Sequence, residues 1–466
     1  MLQDEFMPYV APAPEIFKAY DIRGIVGRSL TVDAVRAIGH ALGSEARARG
    51  QRGIAIGRDG RLSGPELAGA LADGLRAAGI DVIDIGAVPT PLTYFAAHHL
   101  GVHSCVSVTG SHNPPDYNGL KIVLGGQTLH GPLIQDLRRR IVEDDLVHGA
   151  GTLSHADVRD AYVERVLSDV KLARPMKVVV DCGNGIAGDI APRLLRGLGC
   201  ELTELFCDVD GHFPNHHPDP SRPENLQDLI RALRDGDAEL GLAFDGDGDR
   251  LGVVTRDGHI IYPDRQLMLF AADVLSRVPG GEIIYDVKCT RLLDGWIRRH
   301  GGRPTMWNTG HALIKGKLAE TGAPLAGEMS GHVFFKERWY GFDDGLYTAA
   351  RLLEILSRHD DPGAVLDALP EAVSTPELNI AMQEGEPFEL VRRLREQARF
   401  DGAERIITID GVRVEYADGF GLARASNTTP VVVLRFEADD KEALGRIRED
   451  FRQALLSVWP GLSIDF

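Results

Sequence analysis

Six consecutive residues, Asp245-Gly246-Asp247-Gly248-Asp249-Arg250, set three carboxylates at alternate positions with glycines between them. Glycine permits the backbone angles of a tight wrap, so the three side chains can converge on one cation. An all-oxygen ligand set, without His or Cys, suits a hard ion, Mg2+ ahead of Zn2+. An EF-hand calcium loop would want Gly at its sixth position and Glu at its twelfth, where this chain has Arg250 and Arg256. An arginine beside such an ion can grip a phosphate oxygen through a charge-assisted fork. The second reactive stretch lies earlier, at Thr109-Gly110-Ser111-His112-Asn113-Pro114-Pro115, where a serine stands on a stiff turn next to an imidazole. An ordinary polar turn fits those letters equally well, but the acidic loop supplies what a phosphoryl group on Ser111 would need. A divalent ion and Arg250 would neutralise its charge and stabilise the charge spread over its oxygens during transfer. Lys121, ten residues beyond Ser111, is a candidate for proton transfer or electrostatic support; a surface lysine has the same spacing.

Two further loops have recognition chemistry. Gly327-Glu328-Met329-Ser330-Gly331-His332 puts a carboxylate, a hydroxyl and an imidazole on alternate positions, which suits sugar hydroxyl groups. Arg424-Ala425-Ser426-Asn427-Thr428-Thr429 gathers a cation, hydroxyls and an amide around small residues, an anion cradle. The Tyr20-Asp21-Ile22-Arg23-Gly24 segment is extended and ends in a turn, and by spacing alone its Tyr and Arg face solvent.

The elements that must position these loops come as a pattern repeated three times: apolar strand, turn with Asp or Gly, amphipathic helix, Gly, second strand. The copies start at Ile54-Ala55-Ile56, Val178-Val179-Val180 and Ile283-Ile284-Tyr285, with helices expected over about 65–78, 189–198 and 291–300. A further apolar strand follows each copy and runs into the Ser111, Asp245 and Glu328 loops. Such units give an α/β fold with mixed, largely parallel sheets, whose ligands bind beyond the carboxyl ends of the strands. The expected division is four domains around a central cleft: 1–155 with the Ser111 loop, 156–259 with the acidic loop, 260–371 with the Glu328 loop, and 372–466. The fourth is not another copy. It has a strand, a helix over 388–399, strands over 405–410, 412–417, 420–425 and 431–436, then a helix over 441–458, an α+β module carrying Arg424.

Composition excludes several classes. The chain has 466 residues, 51 Lys and Arg against 68 Asp and Glu, and a formal charge of −17, which argues against nucleic-acid or anionic-membrane partners. Five scattered cysteines without CxxC spacing read as small buried residues of a reducing compartment. The acidic, Pro-rich start has no signal-peptide core, and no run approaches a membrane span, so a cytoplasmic protein is expected.

The four loops, in this order, resemble those of the α-D-phosphohexomutase superfamily, and within it the bacterial phosphomannomutase/phosphoglucomutase group. The resemblance extends over essentially the whole chain. It takes in Tyr20 to Gly24, Gly211-His212-Phe213-Pro214-Asn215-His216-His217-Pro218, Asp286-Val287-Lys288-Cys289-Thr290 and Thr309-Gly310-His311. It implies that Ser111 is phosphorylated, and that Asp245, Asp247 and Asp249, with Ser111, bind one Mg2+ per chain. Arg250 and His112 would support the phosphoserine, with Lys121, Arg23 and His332 as candidates for proton transfer and charge stabilisation. Glu328 and Ser330 would hold sugar hydroxyls. Arg424, Ser426, Asn427 and Thr428 would grip the substrate's own phosphate, and Tyr20, Lys288 and His311 would line the cleft. Met329 matches the dual glucose/mannose enzymes. The implied activity is reversible conversion of hexose 1-phosphate to hexose 6-phosphate, with glucose 1,6-bisphosphate as activator and intermediate, in a monomer whose C-terminal domain moves on a hinge. A phosphoglucosamine mutase is the nearest alternative. A metal-dependent sugar phosphatase and a non-catalytic sugar-phosphate-binding protein are the rivals from other classes.

Overall fold

All three strand-helix-strand copies form. The first runs from strand Gly53–Arg58 through helix Gly64–Ala77 to strand Asp81–Ala87. The second joins strands Lys177–Asp181 and Glu201–Leu205 by a 3-10 turn, Ile186–Asp189, and helix Ala191–Gly197. The third joins Glu282–Asp286 and Arg303–Trp307 through helix Leu292–Arg299. In each, the two strands pair in parallel. The helix expected over 189–198 starts late because Pro192 takes a first-turn position, where a missing N–H costs nothing.

A third strand adds in parallel to the first strand of every copy: Cys105–Val108, Leu240–Phe244 and Leu325–Gly327. The three loops singled out above therefore leave the carboxyl ends of equivalent strands. After the first two, the chain folds back antiparallel, as Tyr117–Leu124 on Cys105–Val108 and Leu251–Thr255 on Leu240–Phe244. Cys105–Val108 and Leu240–Phe244 are buried at every residue, as central strands with both faces covered must be. Leu67, Leu71 and Leu75, one turn apart along helix Gly64–Ala77, share a core with Val35, Ile38 and Leu42 of helix Val32–Ala48.

This computed structural model describes residues 9–427, 429–464 and 466. They fall into two compact units. The first runs to Tyr262 and includes Ser330–Asp367; the second comprises Pro263–Met329 and Ala368–Phe466. Within the second, the C-terminal segment is an antiparallel sheet in the order Val373–Ser374, Val431–Ala438, Gly419–Ala425, Val412–Tyr416, Arg405–Ile407, with helices Glu386–Gln397 and Lys441–Val458. Its packing bears on the expected hinge. Arg413 donates to the carbonyls of Val287 and Cys289, both at 2.7 Å, Thr290 Oγ1 donates to Glu437 at 2.8 Å, and Arg435 meets Asp264 at 3.2 Å. These buried polar bonds tie the C-terminal module to the third copy, so a hinge between them would have to break charge-assisted contacts. Among the described residues, no helix is long and apolar enough to cross a membrane, and all five cysteines are free.

In the first unit Asp344 caps helix Gly345–Leu356 by accepting the Tyr347 N–H, and the Tyr162 hydroxyl donates to both its oxygens, at 2.8 and 2.9 Å. Burial pushes its carboxyl up to about 7, although these donors pull the other way. A carboxyl raised above its unfolded value favours the fold when protonated. That contribution is complete below about pH 4 and is lost as pH rises through about 7. Replacing Asp344 with Asn keeps an acceptor for the cap and removes the titration. Denaturant midpoints should show the parent gaining on Asp344→Asn between pH 8 and pH 5, by up to about 3 kcal/mol.

Candidate active site

Ser111 follows strand Cys105–Val108, and both arms of the surrounding turn are held by the sheet. Its side chain is buried, and its φ of 50° lies in the left-handed region, a conformation that costs a non-glycine residue about 1–3 kcal/mol. Its hydroxyl donates to Asp245 Oδ2 at 3.1 Å and lies 3.1 Å from His112 Nδ1. Burial and the Arg250 charge hold the His112 imidazole well below its ordinary value, so it is neutral at pH 7. With the serine proton on Asp245, the imidazole supplies its own N–H to Oγ.

Asp245, Asp247 and Asp249 are fully buried, and one oxygen from each lies within 4.8 Å of the others. The loop partly wraps itself, because Asp245 Oδ1 accepts the N–H groups of Asp249 and Arg250. Lys121 reaches Asp247 Oδ2 at 2.7 Å and also bonds Asp249; Thr90 Oγ1 donates to Asp247 at 2.6 Å. Burial alone would lower the Lys121 ammonium, but Asp247 and Asp249 outweigh it and hold it above its ordinary value. It is thus no surface lysine. Burial and two like-charged neighbours push Asp245 well up. Lys121, and Arg250 at 3.8 Å from Asp245, offset the three carboxylates only in part, and Asp247 Oδ1 and Asp249 Oδ1 have no hydrogen-bond partner among the described residues. Buried acceptors without donors, all oxygen, fit a hard cation.

Arg250 Nε donates to His332 Nε2 at 3.1 Å, which places the ring proton on Nδ1, 3.1 Å from Asp343 Oδ2 and 3.5 Å from Asp249 Oδ1. Arg23, expected in solvent, is largely buried and bonds Asp21 and the Asn113 side chain of the serine loop. Tyr20 and Ser330, both half-buried, lie in the same unit.

The second unit holds the other candidates. Lys288 pairs with Glu377 at 3.1 Å. Glu328 accepts the Gly310 N–H at 2.6 Å, beside His311 at the start of helix His311–Thr321. Asp410 accepts both the Thr309 N–H, at 3.0 Å, and Arg424 Nε, at 3.1 Å. A path of bonds therefore links the Glu328 loop to the Arg424 loop. The Thr429 N–H donates to Ser426 Oγ at 3.3 Å, Asn427 is half-buried, and Thr428 lies outside the described residues.

Sequence reading missed Arg61, Asp59, Thr90 and Asp343. Asp59 accepts the Thr109 hydroxyl, the Gly110 N–H and the Arg61 N–H. Arg61 Nη2 donates to the carbonyls of Ser111 (2.8 Å) and Asn113 (2.6 Å), and Nη1 to those of Pro114 (2.5 Å) and Tyr117 (2.9 Å). The available signal was position: Asp181 and Asp286 end the first strand of a copy, Asp59 directly follows it, and all three are buried.

A serine on a strained turn, three buried carboxylates and an ammonium, set at the carboxyl ends of parallel strands, define a phosphoryl-transfer enzyme of the α/β class. The chain belongs to the phosphoglucomutase/phosphomannomutase family of the α-D-phosphohexomutase superfamily. Residues 14–147, 160–258 and 262–373 match the family's alpha/beta/alpha domains I, II and III, and 377–454 its C-terminal domain. A phosphoglucomutase of Neisseria gonorrhoeae is 58% identical over 453 residues, 96% of this chain and 98% of that one. A phosphomannomutase/phosphoglucomutase of Pseudomonas aeruginosa is 58% identical over 452 residues, 97% of each chain. The crystal structure of a family protein from Burkholderia thailandensis superposes with a TM-score of 0.94 at 63% identity, covering 97% of this chain and 100% of that one.

Proposed function

We propose that this enzyme interconverts the 1-phosphates and 6-phosphates of mannose and glucose by way of phosphorylated Ser111 and a hexose 1,6-bisphosphate. The observation that carries the reading is the placement of Ser111 Oγ, 3.1 Å from Asp245 in a buried acidic cluster that also holds Lys121. A sugar hydroxyl bonds to phosphorus as the P–Oγ bond of phosphoserine breaks. The hydroxyl proton passes to His332 Nε2, the ring nitrogen that carries none, once the Arg250 N–H that occupies its lone pair turns away to the transferring phosphoryl oxygens. Oγ takes up a proton from the cluster in which Lys121 is the protonated group. The bisphosphate then turns, and its other phosphoryl group returns to Oγ. Asp245, Asp247 and Asp249, with the Ser111 phosphoryl group, would hold one Mg2+, whose charge offsets that of the transferring group.

Two anion sites are required, one at Ser111 and one at Arg424, Ser426, Asn427 and Thr428, with Glu328, Ser330, Lys288, His311 and Tyr20 recognising the sugar. Both sites come from one chain, which suits a monomer, and free cysteines suit the cytoplasm. Arg424→Ala should raise the KM for hexose 1-phosphate about 10- to 100-fold, the worth of a charge-assisted bond, while Ser111 still accepts a phosphoryl group. Coupled assays with mannose, glucose and glucosamine 1-phosphates, with Mg2+ and glucose 1,6-bisphosphate, test the whole reading. Mannose and glucose should turn over and glucosamine lag. Release of inorganic phosphate in place of isomerisation would make the protein a phosphatase, and inactivity on all three sugars would defeat the proposal.

A further inference from the structure

We infer that Arg61 is a positioning residue for phosphoryl transfer: its guanidinium, through four backbone carbonyls, holds the turn that aims Ser111 Oγ at Asp245. The inference rests on the reading of Ser111 as the phosphoryl carrier. Residues 110–116 form a turn in which backbone N–H groups reach only some carbonyls, those of Gly110 (from Asn113), Pro114 (from Tyr117) and Asp116 (from Val26), so the others must be satisfied otherwise. One side chain donates to the carbonyls of Ser111, Asn113, Pro114 and Tyr117. It is fully buried, as is Asp59, with which it pairs at 3.2 Å.

The two residues divide the loop's polar groups between them. Asp59 takes the donors, the Thr109 hydroxyl and the Gly110 N–H, and Thr109 Oγ1 in turn accepts the Ser111 N–H at 2.8 Å. Arg61 takes the acceptors on the far side of Ser111. The strained residue is thus pinned at its N–H through Asp59 and at its carbonyl through Arg61. Phe213 stacks 5.2 Å from the guanidinium, and a Cβ on Gly110 would stand 2.5 Å from Arg61 Cζ, so the clamp is packed as well as bonded. Lysine keeps the charge but concentrates its donors at one point, and cannot reproduce a fork across four carbonyls.

The bonds of Arg61 lie within the first unit, and the Arg424 loop belongs to the second. The expected signature is a fall in kcat at nearly constant KM. Arg61→Ala and Arg61→Lys should each lose about 100-fold in kcat, the cost of misplacing a reacting atom by about 1 Å, with KM for glucose 1-phosphate within about threefold. The rate at which Ser111 becomes phosphorylated by glucose 1,6-bisphosphate, followed by intact mass, should fall in parallel. Added methylguanidinium should restore part of the Arg61→Ala rate, which a general loss of folding would not allow. Should either Arg61 variant melt below the assay temperature, Gly110→Ala crowds the guanidinium from the loop side and should give the same split. An Arg61→Lys enzyme with parental kcat, or a Gly110→Ala enzyme in which KM rises and kcat holds, overturns the inference. A Ser111→Ala enzyme that keeps its turnover would instead defeat the underlying reading.

Discussion

Ser111→Ala should lower turnover roughly 10³-fold or more, because it removes the atom on which the phosphoryl group rests between its two transfers. The fold should not change. Alanine has the same Cβ at the same φ of 50°, and the bonds that pin the turn come from backbone groups on either side. Thermal melting should therefore match the parent, and incubation with glucose 1,6-bisphosphate should leave the mass of the chain unaltered. Ser111→Thr separates placement from chemistry. It keeps a hydroxyl, but a β-branched side chain is a true outlier at positive φ, so the turn must relax or the hydroxyl must turn away from Asp245. Its turnover should lie within about tenfold of the alanine variant. A threonine enzyme near parental activity would mean that backbone placement at 111 matters little, and an alanine enzyme within about tenfold of the parent would mean that transfer runs through another group.

The repeated architecture explains why so much of this was legible in the letters. Buried parallel strands read as unbroken apolar runs, and covering helices show a period of about 3.6, so all three copies and the strands after them emerge from the pattern alone. The C-terminal strands and helices fall within a few residues of the expected positions, because Gly and Asp punctuate their turns. The acidic loop was legible by spacing. Lys121 was not, since its role depends on register: Tyr117–Leu124 pairs antiparallel with Cys105–Val108 and sets Lys121 opposite Ser107, below the turn. Arg61 and Asp59 were unreadable for a related reason. Their partners lie some fifty residues on and are mostly backbone atoms, which carry no residue-specific mark.

The terminal aspartates of the three copies also do comparable work. Asp59 holds the Ser111 turn, and Asp286 accepts the Met329 N–H of the Glu328 loop at 3.0 Å together with the Thr309 hydroxyl at 2.8 Å. Asp181 instead accepts the Gly183 N–H at 2.9 Å and bonds the His216 ring at 3.0 Å. In two copies, then, the carboxylate at or just past the end of one strand stabilises the reactive loop leaving its neighbour, a connection that repetition supplies without any new element. In the second copy the acidic loop is held by its own Asp245, which leaves Asp181 for the His216 segment.

Gly246→Ala should cost about 100-fold in kcat, and its cause is steric. A Cβ there would stand 2.3 Å from the Ser111 carbonyl oxygen and 3.2 Å from its carbon. Backbone cannot swing aside as a flexible side chain does, and that carbonyl is held from the other side by Arg61 Nη2 at 2.8 Å. The methyl group must therefore push the serine turn and the acidic loop apart, stretching the contact between Oγ and Asp245. The φ at Gly246 is not in the left-handed region, so alanine brings the clash without a backbone penalty of its own. Because Arg61 and Gly246 act on the same carbonyl, their effects should not add. Once Arg61→Ala has released the turn, the added methyl has less to displace, and the double variant should lose little more than the worse single one. Full multiplication of the two losses in kcat would show that they reach the serine by separate routes.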